Sequence, residues 1–223
     1  MIGTIVNTVA IILGGSLGTV IGSNLGQRYK DTVMQGLSLA VLLIGLKMAL
    51  KTENVNIIIF SLLLGGLIGE VLSIETKLQQ LGDWFESKLK AKGEVAEAFV
   101  QCSLIYCVGA MAIMGAIQDG LPNDPSTLYA KAMLDGFSAI AFSSSLGIGV
   151  ILSAIPVFIY QGVIALTAGW LKPLLTDPVI REMQATGGVL IVAIGLNILD
   201  VTKIKVGNLL PAIVVAVVLV TIF

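Results

Sequence analysis

Apolar runs of about 20 residues recur along the whole chain, from residue 2 to residue 223, separated by short polar breaks. A helix of that length matches the hydrocarbon core of a bilayer. Hydrophobic residues make up 56% of the chain and charged residues only 12%, too few to clothe a water-soluble domain of 223 residues. In lipid the backbone must satisfy its own polar groups, which a helix does within one segment. The expectation is an all-α polytopic membrane protein, with residues 1–223 forming a single membrane domain.

The runs cover residues 3–25, 32–50, 56–74, 98–117, 137–154, 156–171, 184–199 and 207–223, giving about eight transmembrane helices. The first lacks the positive flank of a cleaved signal and is read as a retained helix. The fifth and sixth are one charge-free stretch with Pro156 in its middle, and a proline interrupts the helical ladder. Pro156 is therefore expected to be a hinge. A re-entrant element there would leave seven spans. Residues 75–97 are amphipathic, with Ile74, Leu78, Leu81, Phe85 and Leu89 at spacings of three and four. Such a helix lies in the cytoplasmic interface with Trp84 among headgroups, or packs against a partner.

With eight spans, one set of connections holds Arg28, Lys30, Lys77, Lys88, Lys90, Lys92, Lys203 and Lys205. The other holds Lys51, Lys131, Lys172 and Arg181. The richer side is expected to be cytoplasmic, which puts both termini outside a bacterial plasma membrane.

Residues 36–47 resemble 187–197, with Gly45-Leu46 falling on Gly195-Leu196 and Met34-Gln35 on Met183-Gln184 after a shift of one residue. Repeat halves over 1–74 and 156–223 follow. Eight crossings would orient the copies in opposite senses, the architecture of secondary transporters whose solute site lies at the repeat junction.

The chain has no histidine, and its two cysteines, Cys102 and Cys107, are five apart on one apolar helix. No metal site, cofactor fingerprint or nucleophile–base pair can be assembled, so neither an enzyme nor a cofactor is expected. No basic tract suits nucleic acid. Gly14, Gly18, Gly22 and Gly26 form a small-residue ridge, and Gly65 with Gly69 a second, for close helix packing. Glu70, Asp119 and Asp135 are the acids nearest the apolar runs and are candidate coupling groups. Asn7, Gln161 and Asn197 could bind a small polar solute through their amides, with the hydroxyls of Ser143, Ser144 and Ser145 lining its path. Asp124-Pro125 reads as a helix start, and Lys131 faces Asp135 one turn on.

Four stretches carry a resemblance: residues 109–120 (GAMAIMGAIQDG), 124–131 (DPSTLYAK), 145–149 (SLGIG) and 154–162 (AIPVFIYQG). They are similar to the YdfK/YqgA-like family of uncharacterised bacterial membrane proteins (DUF554). The resemblance implies a multi-span plasma-membrane protein and supplies no substrate. The combined expectation is a secondary transporter or channel-like protein for a small solute or ion, not driven by ATP. The alternative is a non-transporting scaffold acting through helix packing and segment 75–97. Its partners would be the lipid bilayer and, for so small a bundle, a second copy in a homodimer.

Overall fold

A computed structural model describes residues 1–89, 95–121 and 124–222. Lys90, Lys92 and the rest of 90–94, all within the expected amphipathic segment, lie outside the described residues. All regular structure described is α-helical. The order is α1 (Ile2–Ser23), α2 (Gln27–Ala49), α3 (Val55–Leu72), α4 (Ile74–Leu89), α5 (Val95–Cys107), α6 (Ala110–Gly120) and α7 (Ser126–Leu146). It continues with α8 (Gly149–Leu152), α9 (Ala154–Leu166), α10 (Ala168–Leu171), α11 (Asp177–Ile198), α12 (Val206–Leu209) and α13 (Pro211–Ile222).

Among the described residues five helices are long and apolar enough to cross a membrane: α1, α2, α3, the stretch Gly149–Leu166 and α11. A sixth is added if α5 and α6, bent by 64°, form one broken span. The eight expected runs exceed this count for physical reasons. Helix α7 has the length but carries Lys131 and Asp135, and Val206–Ile222 is a shorter apolar helix.

The long apolar stretch is broken twice. Helix α8 ends at Leu152 and α9 begins at Ala154, so the break at Ser153 lies next to Pro156, which sits in the first turn of α9, where its missing N–H leaves no hydrogen bond unmade. The chain also turns at Gly147, whose φ of +74° is a left-handed value that a side chain would oppose. One other sequence signal, the start at Asp124, acts where expected, and Asn54 adds a cap of the same kind. Asp124 Oδ1 accepts from Ser126 N at 3.0 Å and caps the start of α7. Asn54 caps α3 in the same way through Asn56 N at 3.2 Å.

The chain forms two compact units, residues 1–37 with 80–173 and residues 38–79 with 174–223. Each draws on both of the expected repeat halves. In the first unit α1 lies along α7, the two running parallel. Gly14, Gly18 and Gly22 rest on the backbone of Gly136, Ile140 and Ser144, so closely that any Cβ would collide. The match of two four-residue ridges explains the contact. Gly26 is not part of it, because α1 ends at Ser23 and only Tyr29 comes near. Helices α8 and α9 run antiparallel to α1, with Ile151 against Gly15 and Gly162 facing Met1. The ends of the α5–α6 pair lie at opposite ends of α1. Val95 meets Gly149, which follows the Ser144 contact with Gly22, whereas Asp119 holds Gly3 and Thr4.

In the second unit the pairs are antiparallel. Gly45 and Gly195 of α2 and α11 pack on Gly188, Val192 and Leu42, and Gly65 and Gly69 of α3 pack on Ala212 and Asn208. Ser38, Val41 and Gly45 make the buried stripe of α2.

Candidate functional site

The first unit buries a cation and an anion. Lys131 and Asp135, one turn apart on α7, pair at 2.8 Å with side chains only 9% exposed. Lys131 Nζ also donates to Asp135 Oδ1 at 2.9 Å. Asn7 of α1 donates its amide to Asp135 Oδ2 at 3.0 Å. That reach across helices depends on the glycine ridge, which brings the two backbones together. Lys131 was expected in an outer connection and instead lies inside α7. Burying an isolated charge would be prohibitive, so the pair exists as a unit.

Around this pair stand groups from the broken helix and from α9. Tyr106, in the last turn of α5, lies near Asp135, Ser138 and Cys102, yet its hydroxyl closes no hydrogen bond of good geometry. Cys107, beside the break, neighbours Lys131 and Asp135, and Tyr160 of α9 neighbours Cys107. Gln161 is fully buried on α9, with neither end of its amide bonded among the described residues. Asn7 Oδ1 is likewise unpaired.

The other expected site residues do different work. Asp119 is buried at the end of α6 and accepts from Gly3 N and Thr4 N at 3.1 Å each, from Thr4 Oγ1 at 3.2 Å, and pairs with the Met1 ammonium at 3.2 Å. It caps the start of α1 from a neighbouring helix. Ser144 Oγ donates to Ala141 O, and Ser145 Oγ to Lys30 O at 3.5 Å. Ser143 Oγ is buried and unpaired, against Gly15. These serines occupy the last turn of α7, eight or more positions beyond Asp135, so they do not join the ion pair.

Glu70 and Asn197 belong to the second unit. Glu70 accepts from Asn208 Nδ2 at 2.5 Å and pairs with Lys205 at 3.3 Å, its side chain 63% exposed. Asn197 spends its amide on its own link, accepting from Thr202 Oγ1 and Ile204 N at 2.9 Å and donating to Ile204 O at 2.8 Å. The expected trio of Asn7, Gln161 and Asn197 is not brought together within either unit.

Two acids escaped the sequence reading. Glu182, only 2% exposed, accepts from Thr52 Oγ1 at 2.5 Å and Glu53 N at 2.8 Å, and neighbouring Arg181 pairs with Glu53 at 2.6 Å. Glu75 accepts from Gly207 N at 2.6 Å while Asn208 Oδ1 accepts from Glu75 N at 2.7 Å. The signal for both was the polar link opposite, whose N–H groups need acceptors. Among the described residues no cluster of three metal-ligating side chains occurs.

Residues 2–221 match a family described as a protein of unknown function, DUF554. The chain is 32% identical to an uncharacterized membrane protein, YdfK, of Bacillus subtilis (strain 168), over 96% of this chain and 93% of the relative. It is 34% identical to the uncharacterized protein YqgA of Escherichia coli (strain K12), over 97% and 94%. No solved structure matches. Helices that fit a bilayer, a whole-length family match and a relative described as a membrane protein lead to one conclusion: the chain is a helical membrane protein of the DUF554 family.

Proposed function

We propose that the protein carries a small solute across the bacterial plasma membrane without ATP, through a polar interior in the first unit. The observation that carries this reading is the Lys131–Asp135 pair with Asn7, buried among helices beside a broken helix. Ionisable groups inside membrane helices are costly and mark solute or ion paths. Discontinuous helices are where transporters build their sites. Asp135 is the central group, with Asp119 holding the start of α1 in the same unit.

Eight crossings complete the proposal, counting α1, α2, α3, α5–α6, α7, α8–α9, α11 and α12–α13. Helix directions support this number. Parallel packing of α1 and α7 fits three crossings between them, with α5–α6 crossing once. Antiparallel packing of α2 and α11 then fits a single crossing of α8–α9, in favour of a full span over a re-entrant loop. An even number of crossings puts both termini on one face, and the lysine bias makes that face extracytoplasmic. The opposed α2–α3 and α11–α13 pairs agree with an inverted duplication. No enzymatic step, metal or cofactor enters this reading.

The test is reconstitution. Vesicles containing the protein should take up at least one small solute faster than empty vesicles, and impermeant labels should reach both termini from the same face. A scaffold role has one observation in its favour, the exposed Leu81 and Trp84 of amphipathic α4. It gains ground if no solute moves.

A further inference from the structure

The polar interior of the first unit has a satisfied half and an unsatisfied half. Charges fill the satisfied half: both oxygens of Asp135 are taken, by Lys131 and by the Asn7 amide. Its net charge is zero. The unsatisfied half is uncharged. Asn7 Oδ1 and both Gln161 amide atoms have no protein partner among the described residues, and the Tyr106 hydroxyl, beside Ser138 and Cys102, closes no hydrogen bond of good geometry, although all three residues are at most 1% exposed. Each buried polar group left unmade costs about 1–3 kcal/mol. Six buried side-chain atoms of this unit close no hydrogen bond of good geometry among the described residues, Gln101 Oε1 and Ser143 Oγ being the other two, and an occupant beside Asn7, Tyr106 and Gln161 would offset the cost of these four.

Their positions agree in depth. Asn7 lies five positions inside the start of α1, and Gln161 five positions inside the end of α9, at the same end of the unit because Gly162 faces Met1. At about 1.5 Å per residue both are roughly 8 Å deep. Lys131 is likewise five positions into α7, and Tyr106 lies near Asp135.

We infer that Asn7, Tyr106 and Gln161 form a binding site for a small uncharged solute bearing both hydrogen-bond donors and acceptors, of the simple amide, urea or polyol class. This rests on the transport reading and specifies its substrate. Two amide oxygens accept, the Gln161 nitrogen donates twice, and the Tyr106 hydroxyl does either. A neutral solute satisfies all of them without displacing Lys131 from Asp135. A permanent ion would lose its hydration and find no spare charge to replace it.

Osmotic-jump light scattering on vesicles holding the full chain tests this, with acetamide, urea and glycerol as probes and Na⁺ and K⁺ flux measured on the same vesicles. Wild type should pass at least one of the three probes at least tenfold faster than empty vesicles, with ion flux at background. Gln161→Leu and Tyr106→Phe should each cut that rate at least fivefold while melting no lower than wild type, since each removes an unpaired polar atom. Ion flux without passage of any probe overturns the inference and leaves transport standing. Probe flux unchanged in both variants overturns the site but not the transport reading. No flux of any kind removes both.

Discussion

The two units use the same packing device and put their charges in different places. In each, glycines let one helix rest on the backbone of another: Gly14, Gly18 and Gly22 on α7, and Gly65 and Gly69 on α12 and α13. The second unit keeps its acids at links and helix ends, where Glu70, Glu75 and Glu182 satisfy backbone N–H groups, amides or lysine. The first unit also has an end-capping acid in Asp119, but it sinks Lys131 and Asp135 into the helix body. Acids at helix ends explain themselves by the donors they satisfy. An ion pair at depth replaces what apolar side chains would do at no cost, and so points to function.

The largest effects should come from the shared device. Gly18→Leu forces a side chain into the Ile140 backbone and Gly65→Leu one into Ala212. Each should lose about 3 kcal/mol or more, seen as loss of monodisperse protein in detergent. Gly26→Leu, beyond the ridge, should stay within about 0.5 kcal/mol of wild type. Equal damage at Gly26 would break the account of the ridge.

Next in size is the contrast between acids. Asp135→Ala strands Lys131 and should cost about 3–5 kcal/mol in thermal unfolding. Glu70→Ala removes a mostly exposed partner of Lys205 and should cost about 0–1 kcal/mol. The double change Lys131→Met with Asp135→Leu should recover most of the first loss. Glu182→Ala leaves Thr52 and Glu53 N without their acceptor and should cost about 1–3 kcal/mol.

The smallest effect concerns pH. The Ser126 N–H holds the exposed Asp124 carboxyl below its usual range. A depressed folded value means its cap is complete above the ordinary carboxylate pKa of about 4 and fades as pH falls below that. The start of α7 should therefore fray slightly in acid, followed by amide exchange at Ser126. Asp124→Ala should remove that pH dependence.

Apolar runs and polar links differ sharply, which made the helices legible, and Asp124 was legible as a start because capping is local chemistry. The glycine ridge, apart from Gly26, was legible because spacing of four is a one-helix property. Breaks inside apolar stretches without a proline were illegible. Between residues 136 and 170 no charge marks which turn yields, so the turn at Gly147 was not legible beside the proline. The bend after Cys107 was hidden for the same reason. Partner identity was the other limit. That Lys131 and Asp135 face each other follows from spacing, but that Asn7 closes the set depends on α1 packing parallel to α7. Asn197 looked like a solute ligand until its own link took its amide.

The central claim is that passage depends on the charge buried in the first unit and not on the acids at the ends of the second. Solute flux through vesicles bearing Asp135→Asn or Glu70→Gln, each compared with wild type at matched folded protein, tests it most directly. The account predicts at least a tenfold loss for Asp135→Asn and a rate within twofold of wild type for Glu70→Gln. Undiminished flux in Asp135→Asn, or loss confined to Glu70→Gln, would contradict it.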